Sequence, residues 1–175
     1  MKKGIILYQS KYGATKKYAY WLKETTEFDC VKISEASVKE TAEYENIVLC
    51  GGIYASGIAG LSFLKKNFQK LHPAKTAILC VGASPYDEHA LSEIKTRNLK
   101  GDLRNIPLFY GRGSWDESRM TFKDRTLCRM LQKAVAKKNS SELEPWMEAL
   151  LSASGQTCDW TDQAYLKPLL DFLKS

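Results

Sequence analysis

Apolar and polar positions alternate between two rhythms along the first two-thirds of the chain. Lys3 to Tyr8, Asp29 to Ile33, Asn46 to Gly52, Thr76 to Gly82 and Ile106 to Gly111 are short, nearly continuous apolar runs ended by polar or glycine residues. Runs of this kind predict strands of a parallel sheet buried on both faces. Between them lie stretches with helical spacing. Ala14–Lys23 carries Tyr18, Ala19, Trp21 and Leu22, while Leu61–Leu71 carries Leu61, Leu64, Phe68 and Leu71 before Pro73. A further helix is expected over Glu88–Arg97. Strand–helix alternation with right-handed crossovers predicts an α/β fold, a doubly wound five-stranded parallel sheet.

The rhythm changes after the fifth strand. Leu127, Met130, Leu131, Ala134 and Val135 recur at helical spacing, with Arg125, Arg129, Lys133 and Lys137 as an i, i+4 row beside them. Leu143, Trp146, Met147, Leu150 and Leu151 mark a second amphipathic helix, with Pro145 tolerated in its first turn. A last helix contains Tyr165, Leu166, Leu169, Leu170 and Phe172. Thr161 is expected to cap it, and Pro168 predicts a kink or a late start. Residues 112–157 therefore read as a helical insertion within a single domain spanning 1–175.

Composition narrows the function classes. The 175 residues are 44% hydrophobic and 26% charged, which argues against disorder. The five cysteines (30, 50, 80, 128 and 158) form no Cys-x-x-Cys, and only His72 and His89 join them, so no zinc spacing is present. Cys30, Cys50 and Cys80 lie in apolar runs and are expected to be reduced and inert. The basic N-terminus precedes an apolar run too short for a signal peptide, so a cytoplasmic protein is expected. The net charge of +6 is uneven: residues 112–138 carry +5 and residues 139–175 carry −4. A local basic surface of this kind suits an anionic partner, with no nucleic-acid tail evident. A carboxylate-bearing substrate, an acidic protein or an anionic membrane met peripherally through 112–138 at its inner face would each fit. The competing explanation is the solvated outer face of a core-packed helix.

In an open parallel sheet, ligands bind at the carboxyl ends of the strands. Three loops leave such ends. Ser10, Lys11, Tyr12, Gly13, Ala14 and Thr15 form a polar turn before a helix, where backbone N–H groups and the helix N-terminus suit a phosphate. Helix capping is the competing explanation. The second loop, Gly51 to Gly57, contains Gly52, Ile53, Tyr54, Ala55, Ser56 and Gly57. The third contains Ala83, Ser84, Pro85 and Tyr86 after Gly82. Tyr54 and Tyr86 are placed to sandwich a flat ring, although isolated tyrosines also cap sheet edges. No P-loop, no G-x-G-x-x-G, no receiver aspartate and no cysteine-phosphatase loop is found. No acid–base pair stands out, so no catalytic residue is nominated.

Tyr8-Gln9-Ser10-Lys11-Tyr12-Gly13-Ala14-Thr15, taken with Gly52-Ile53-Tyr54 and Gly82-Ala83-Ser84, resembles the flavodoxin superfamily. The Arg- and aromatic-rich stretch with Arg112, Trp115, Arg119, Phe122 and Arg125, followed by Asp159-Trp160-Thr161-Asp162, is most like the menaquinone-dependent protoporphyrinogen dehydrogenase branch. The resemblance implies strand order 2-1-3-4-5 and bound FMN, with Ser10 to Thr15 on the phosphate. Gly52 to Gly57 and Ala83 to Tyr86 would flank the isoalloxazine. It implies electron transfer or oxidoreduction, with a redox protein or a quinone- or porphyrinogen-type molecule as partner. A non-catalytic module that keeps the fold and uses its insertion helices for protein or membrane contact is the alternative.

Overall fold

The computed structural model describes residues 1–175. Five parallel strands form the main sheet: β1 (Lys2–Gln9), β2 (Asp29–Lys32), β3 (Tyr44–Tyr54), β5 (Lys75–Gly82) and β6 (Leu108–Arg112). Their order is β2-β1-β3-β5-β6, and the two-residue β4 (Gly57–Ile58) pairs antiparallel with the end of β3. This is the expected doubly wound, flavodoxin-like order. The helices between strands are α1 (Ala14–Thr26), α2 (Val38–Thr41), α3 (Leu61–Leu71) and α4 (Glu88–Asn98).

Side chains alternate across a strand, and here each face has its own cover. Ile5, Leu7, Ile47, Leu49, Ile78 and Cys80 pack under Leu61, Leu64 and Leu71 of α3. Ile6, Val48, Cys50, Leu79 and Val81 pack on the other face under Tyr18, Ala19 and Leu22 of α1 and Leu169 of the closing helix α7 (Lys167–Lys174). Each fully buried Leu or Ile contributes about 1.5–3 kcal/mol of apolar transfer free energy. Tyr18 is fully buried, and its hydroxyl donates to the Arg112 carbonyl at 2.7 Å and accepts from Asp162 N–H at 3.2 Å. One side chain thus ties α1 to the end of β6 and to the closing segment. Burial pushes its phenol up to about 12.

All five cysteines are free thiols. Cys50 and Cys80 are buried, and burial raises both, whereas Cys30 is only half-buried at the sheet edge. No helix is long and apolar enough to cross a membrane.

The insertion departs from its expected form in three ways. Its base is closed by a small antiparallel ribbon of β7 (Ser114–Asp116) and β8 (Thr157–Asp159), too short to show as a pattern in the sequence. Its first helix, α5 (Phe122–Ala136), buries Gln132 and Val135 and turns Leu127, Met130 and Leu131 outward. Arg125, expected in the exposed row, instead folds back to donate to the carbonyls of Glu117, Ser118 and Met120. The second helix is α6 (Pro145–Ser152), which begins at Pro145.

The closing helix starts late, at Lys167 with Pro168 in its first turn, as the proline requires. The cap of the short 3-10 turn before it is Asp162, which accepts from Ala164 N–H at 2.8 Å. Thr161 is not the cap. Its hydroxyl and backbone N–H both go to Asp159.

Candidate functional site

The carboxyl ends of four strands form one rim because their registers run together. Gln9 pairs beside Gly51, Gly52 beside Val81, and Gly82 beside Arg112. The strand order reverses between β1 and β3, which is where such sheets bind ligands.

At that switch point the first loop makes a tight turn. Gly13 has φ 106°, a left-handed conformation open mainly to glycine, and its N–H donates to Ser10 Oγ at 3.1 Å. Gly13 is also the N-cap of α1, and no side chain caps this helix; its first turn holds no acidic residue. By contrast, α2, α4 and α5 are capped by Ser37, Asp87 and Thr121, each with an acidic residue in the first turn. The N–H groups opening α1 therefore lack the carboxylate and hydroxyl partners that α2, α4 and α5 have; α3, led by Gly60, is uncapped in the same way but does not open at the switch point. That end of α1 can receive an anion. Lys16, exposed beside it, makes no ion pair.

The other two cations of this loop are already engaged. Lys11 Nζ and the Tyr12 hydroxyl both donate to one carboxylate oxygen of Asp124, in the first turn of α5. Tyr12 also accepts from Thr121 N–H at 3.2 Å, while Thr121 Oγ1 accepts from Asp124 N–H at 3.2 Å. The Tyr12 hydroxyl thus sits inside what would otherwise be a local capping box. The hydrogen bond to Asp124 raises Lys11 above its ordinary value, and Lys11, then Tyr12, hold Asp124 below the usual carboxylate range. Lys17 is likewise spoken for, donating to Asp159 at 3.0 Å and to Thr161 Oγ1 at 2.7 Å. Thr161 and Lys17 keep Asp159 low.

The second loop is more ordered than its sequence suggests. β3 runs on to Tyr54, turns through Ala55 (φ 47°) and Ser56 (φ 63°), and returns as β4 from Gly57. Two consecutive left-handed residues make this a tight two-residue hairpin. The turn is pinned from outside, because Asn98 of α4 donates to the Ser56 carbonyl at 2.7 Å. Tyr54 stands at the rim, 41% exposed, with Lys11 Nζ 5.9 Å from its ring centre. Burial raises its phenol and Lys11 opposes that rise.

The third loop is braced from β6. The Tyr110 hydroxyl donates to the Ser84 carbonyl, Arg112 Nε to the Ala83 carbonyl at 3.0 Å, and Gly113 N–H to the Gly82 carbonyl at 2.7 Å. Arg112 in turn stacks on Trp160 at 4.1 Å. Pro85 is half-buried, and Tyr86 projects beyond it, 56% exposed, 6.2 Å from the Tyr110 ring.

The structure therefore joins the first loop to the second through Lys11 and Tyr54. It joins the second to the third where Ile53 and Tyr110 both pack over Gly82. Tyr54 leans toward the first loop and Tyr86 toward the edge strand. A cleft of about 550 Å³ opens beside Tyr86 along the outer edge of β6, with Leu91, Tyr110, Tyr165 and Pro168 among its walls. Asp124, Arg112 and Trp160 were not among the expected site residues. Asp124 leaves a local trace in the sequence, as the last residue of Thr121-x-x-Asp124, while Arg112 and Trp160 stand out only as parts of the branch resemblance.

A flavodoxin-domain sequence profile matches residues 5–142, most of the chain. The chain belongs to the flavodoxin-domain family. Flavodoxin domains are associated with flavin-based oxidoreduction, so a flavin cofactor is indicated in general terms. Similar solved structures include the Trp repressor binding protein from Bacillus subtilis, 9% identical over 63% of this chain and 85% of that one (TM-score 0.44). The two-electron reduced flavodoxin of Megasphaera elsdenii is 15% identical over 61% and 82% (TM-score 0.42). An azoreductase from Bacillus anthracis is 10% identical over 87% and 99% (TM-score 0.42). No curated protein matches the chain. In this flavodoxin domain the residues at the rim suit the phosphate of such a group, since α1 opens on a left-handed glycine with uncapped N–H donors.

Proposed function

We propose that this flavodoxin domain binds FMN and works in electron transfer or oxidoreduction. Ser10 to Thr15 would hold the phosphate, and Gly52 to Gly57 with Ala83 to Tyr86 would flank the ring. The observation that carries this reading is the uncapped, glycine-led start of α1 at the switch point of the sheet. Bound there, FMN supplies the redox chemistry, and the protein orients and shields it. Ser10 keeps the turn closed by accepting from Gly13. Tyr54 and Tyr86 offer aromatic faces, and the braced carbonyls of Ala83 and Ser84 fix the third loop. Within this class we favour a protoporphyrinogen-dehydrogenase-like activity, supported by the Arg- and aromatic-rich first part of the insertion, residues 112–138, whose +5 charge suits a carboxylate-bearing substrate.

Purified protein is expected to be yellow, or to take up FMN with quenching of flavin fluorescence. Folded protein that stays colourless and leaves FMN fluorescence unchanged would contradict the reading. Oxidation of protoporphyrinogen with a quinone acceptor tests the finer activity separately.

One observation favours the second reading, a fold retained for contact alone. The carboxylate of Asp124 already satisfies two donors of the first loop, Lys11 and Tyr12. If that carboxylate merely competes with a phosphate, Asp124→Asn tightens FMN binding. If the loop has lost its ligand, neither form binds.

A further inference from the structure

The outward face of α5 carries four of the eight large apolar side chains that the fold leaves exposed. Phe122 is 85% exposed, Met130 62%, Leu127 54% and Leu131 44%. Monomeric surfaces carry single exposed apolar residues routinely, but four on one fifteen-residue helix form a patch. Lysines are interleaved with it. Lys123 and Lys133 lie on the same helix and Lys137 and Lys138 just after it, and none makes an ion pair. The one acidic residue of α5, Asp124, is turned away onto Lys11 and Tyr12. The face is therefore apolar and cationic together, and none of its lysines is paired with a carboxylate.

From this combination we infer that α5 docks the protein on an anionic lipid surface. A helix lying in the bilayer interface buries large apolar side chains among the acyl chains and places lysines at the headgroups. Charge argues against the same face of a second copy, which would set unpaired lysines against lysines. Asp124 also fixes the orientation. It holds the start of α5 against the first loop, so a docked α5 brings the rim of β1 and β3 close to the membrane. Lipid binding itself needs no flavin. Only the consequence, that a membrane-dissolved redox partner would meet the rim, rests on the proposed cofactor.

The test is co-sedimentation of the full chain with phosphatidylcholine vesicles, with and without phosphatidylglycerol, at low salt. Binding is expected only with phosphatidylglycerol and is expected to weaken as salt rises. Each basic residue near an anionic surface is worth about fivefold in partitioning, so Lys123→Glu with Lys133→Glu should reduce binding at least about twenty-fivefold. Phe122→Ser with Met130→Ser should reduce it comparably, and both pairs are exposed enough to leave thermal unfolding unchanged. Lys65→Glu with Lys66→Glu, on α3, should leave partitioning within about twofold, because these lysines lie outside the patch. No sedimentation with anionic vesicles would overturn the inference. So would binding that survives both α5 variants or is abolished by the α3 pair. A concentration-dependent dimer lost on Met130→Ser, without lipid binding, would assign the face to self-association instead.

Discussion

α3 and α5 are both amphipathic helices of ordinary length, yet they meet opposite environments. α3 lies between two parallel strands, and the crossover lays its Leu61, Leu64 and Leu71 onto the sheet. α5 follows the last strand of the main sheet, whose faces are covered by α3 on one side and by α1 and α7 on the other. It is held to the first loop through Asp124 and, through Gln132, to Glu117 and the Leu150 carbonyl of α6, and its larger apolar residues face out. Helical spacing reveals that an apolar stripe exists. What covers the stripe depends on where the topology still has room.

The sharpest way to break this contrast is to truncate one leucine of α3 and one methionine of α5. Leu64→Ala is expected to cost about 2–5 kcal/mol in chemical denaturation, because it empties a fully buried site. Met130→Ala is expected to change stability by no more than about 0.5 kcal/mol, because its side chain already meets solvent. Equal losses would mean that α5 packs as α3 does.

A second prediction concerns the rim. A Cβ at Gly51 would lie 2.1 Å from the Ala59 carbonyl oxygen, so Gly51→Ala forces the backbone after β4 away from β3. A loss of at least about 2 kcal/mol is expected, measured by thermal unfolding, and an unchanged midpoint would contradict the close approach.

The latch between the two regions gives a smaller, pH-dependent effect. Asp124 titrates below its ordinary value in the folded protein, so its contribution is present above the unfolded carboxylate value near about 4. It is lost as pH falls through the lower folded value. The stability difference between wild type and Asp124→Asn should therefore be full at neutral pH and vanish on acidification, at a fraction of the Leu64 effect. A difference that grows toward acid would reverse the assignment. The smallest effect is expected at the hairpin, where Ala55→Gly relieves a left-handed alanine and should stabilise by no more than about 1 kcal/mol.

The same contrast explains what the sequence makes legible. Buried parallel strands announce themselves as apolar runs, and Pro73 and Pro168 mark where helices stop and start, so the sheet is readable, while its strand order follows from the resemblance to the flavodoxin superfamily. The first loop is readable too, since Ser10 and Gly13 act locally. The second loop is not. Tyr54-Ala55-Ser56-Gly57 has no Asn-Gly or Asp-Gly, and its hairpin depends on Asn98, forty-two positions away. Arg125 looks like a surface charge until three carbonyls, all from the preceding eight residues, surround it. Asp124 is visible as a capping residue, but its partners Lys11 and Tyr12 lie more than a hundred positions upstream. Local rules reach the elements, and pairings across the chain place the insertion.

The central claim is that the start of α1 grips a phosphate. Calorimetric titration of the protein with FMN and with riboflavin, which differ only in that group, tests it directly. Charge-assisted hydrogen bonds contribute about 1.5–3 kcal/mol each, so two of them predict FMN bound at least about a hundredfold more tightly. Equal affinity for the two, or binding of neither by folded protein, would contradict it.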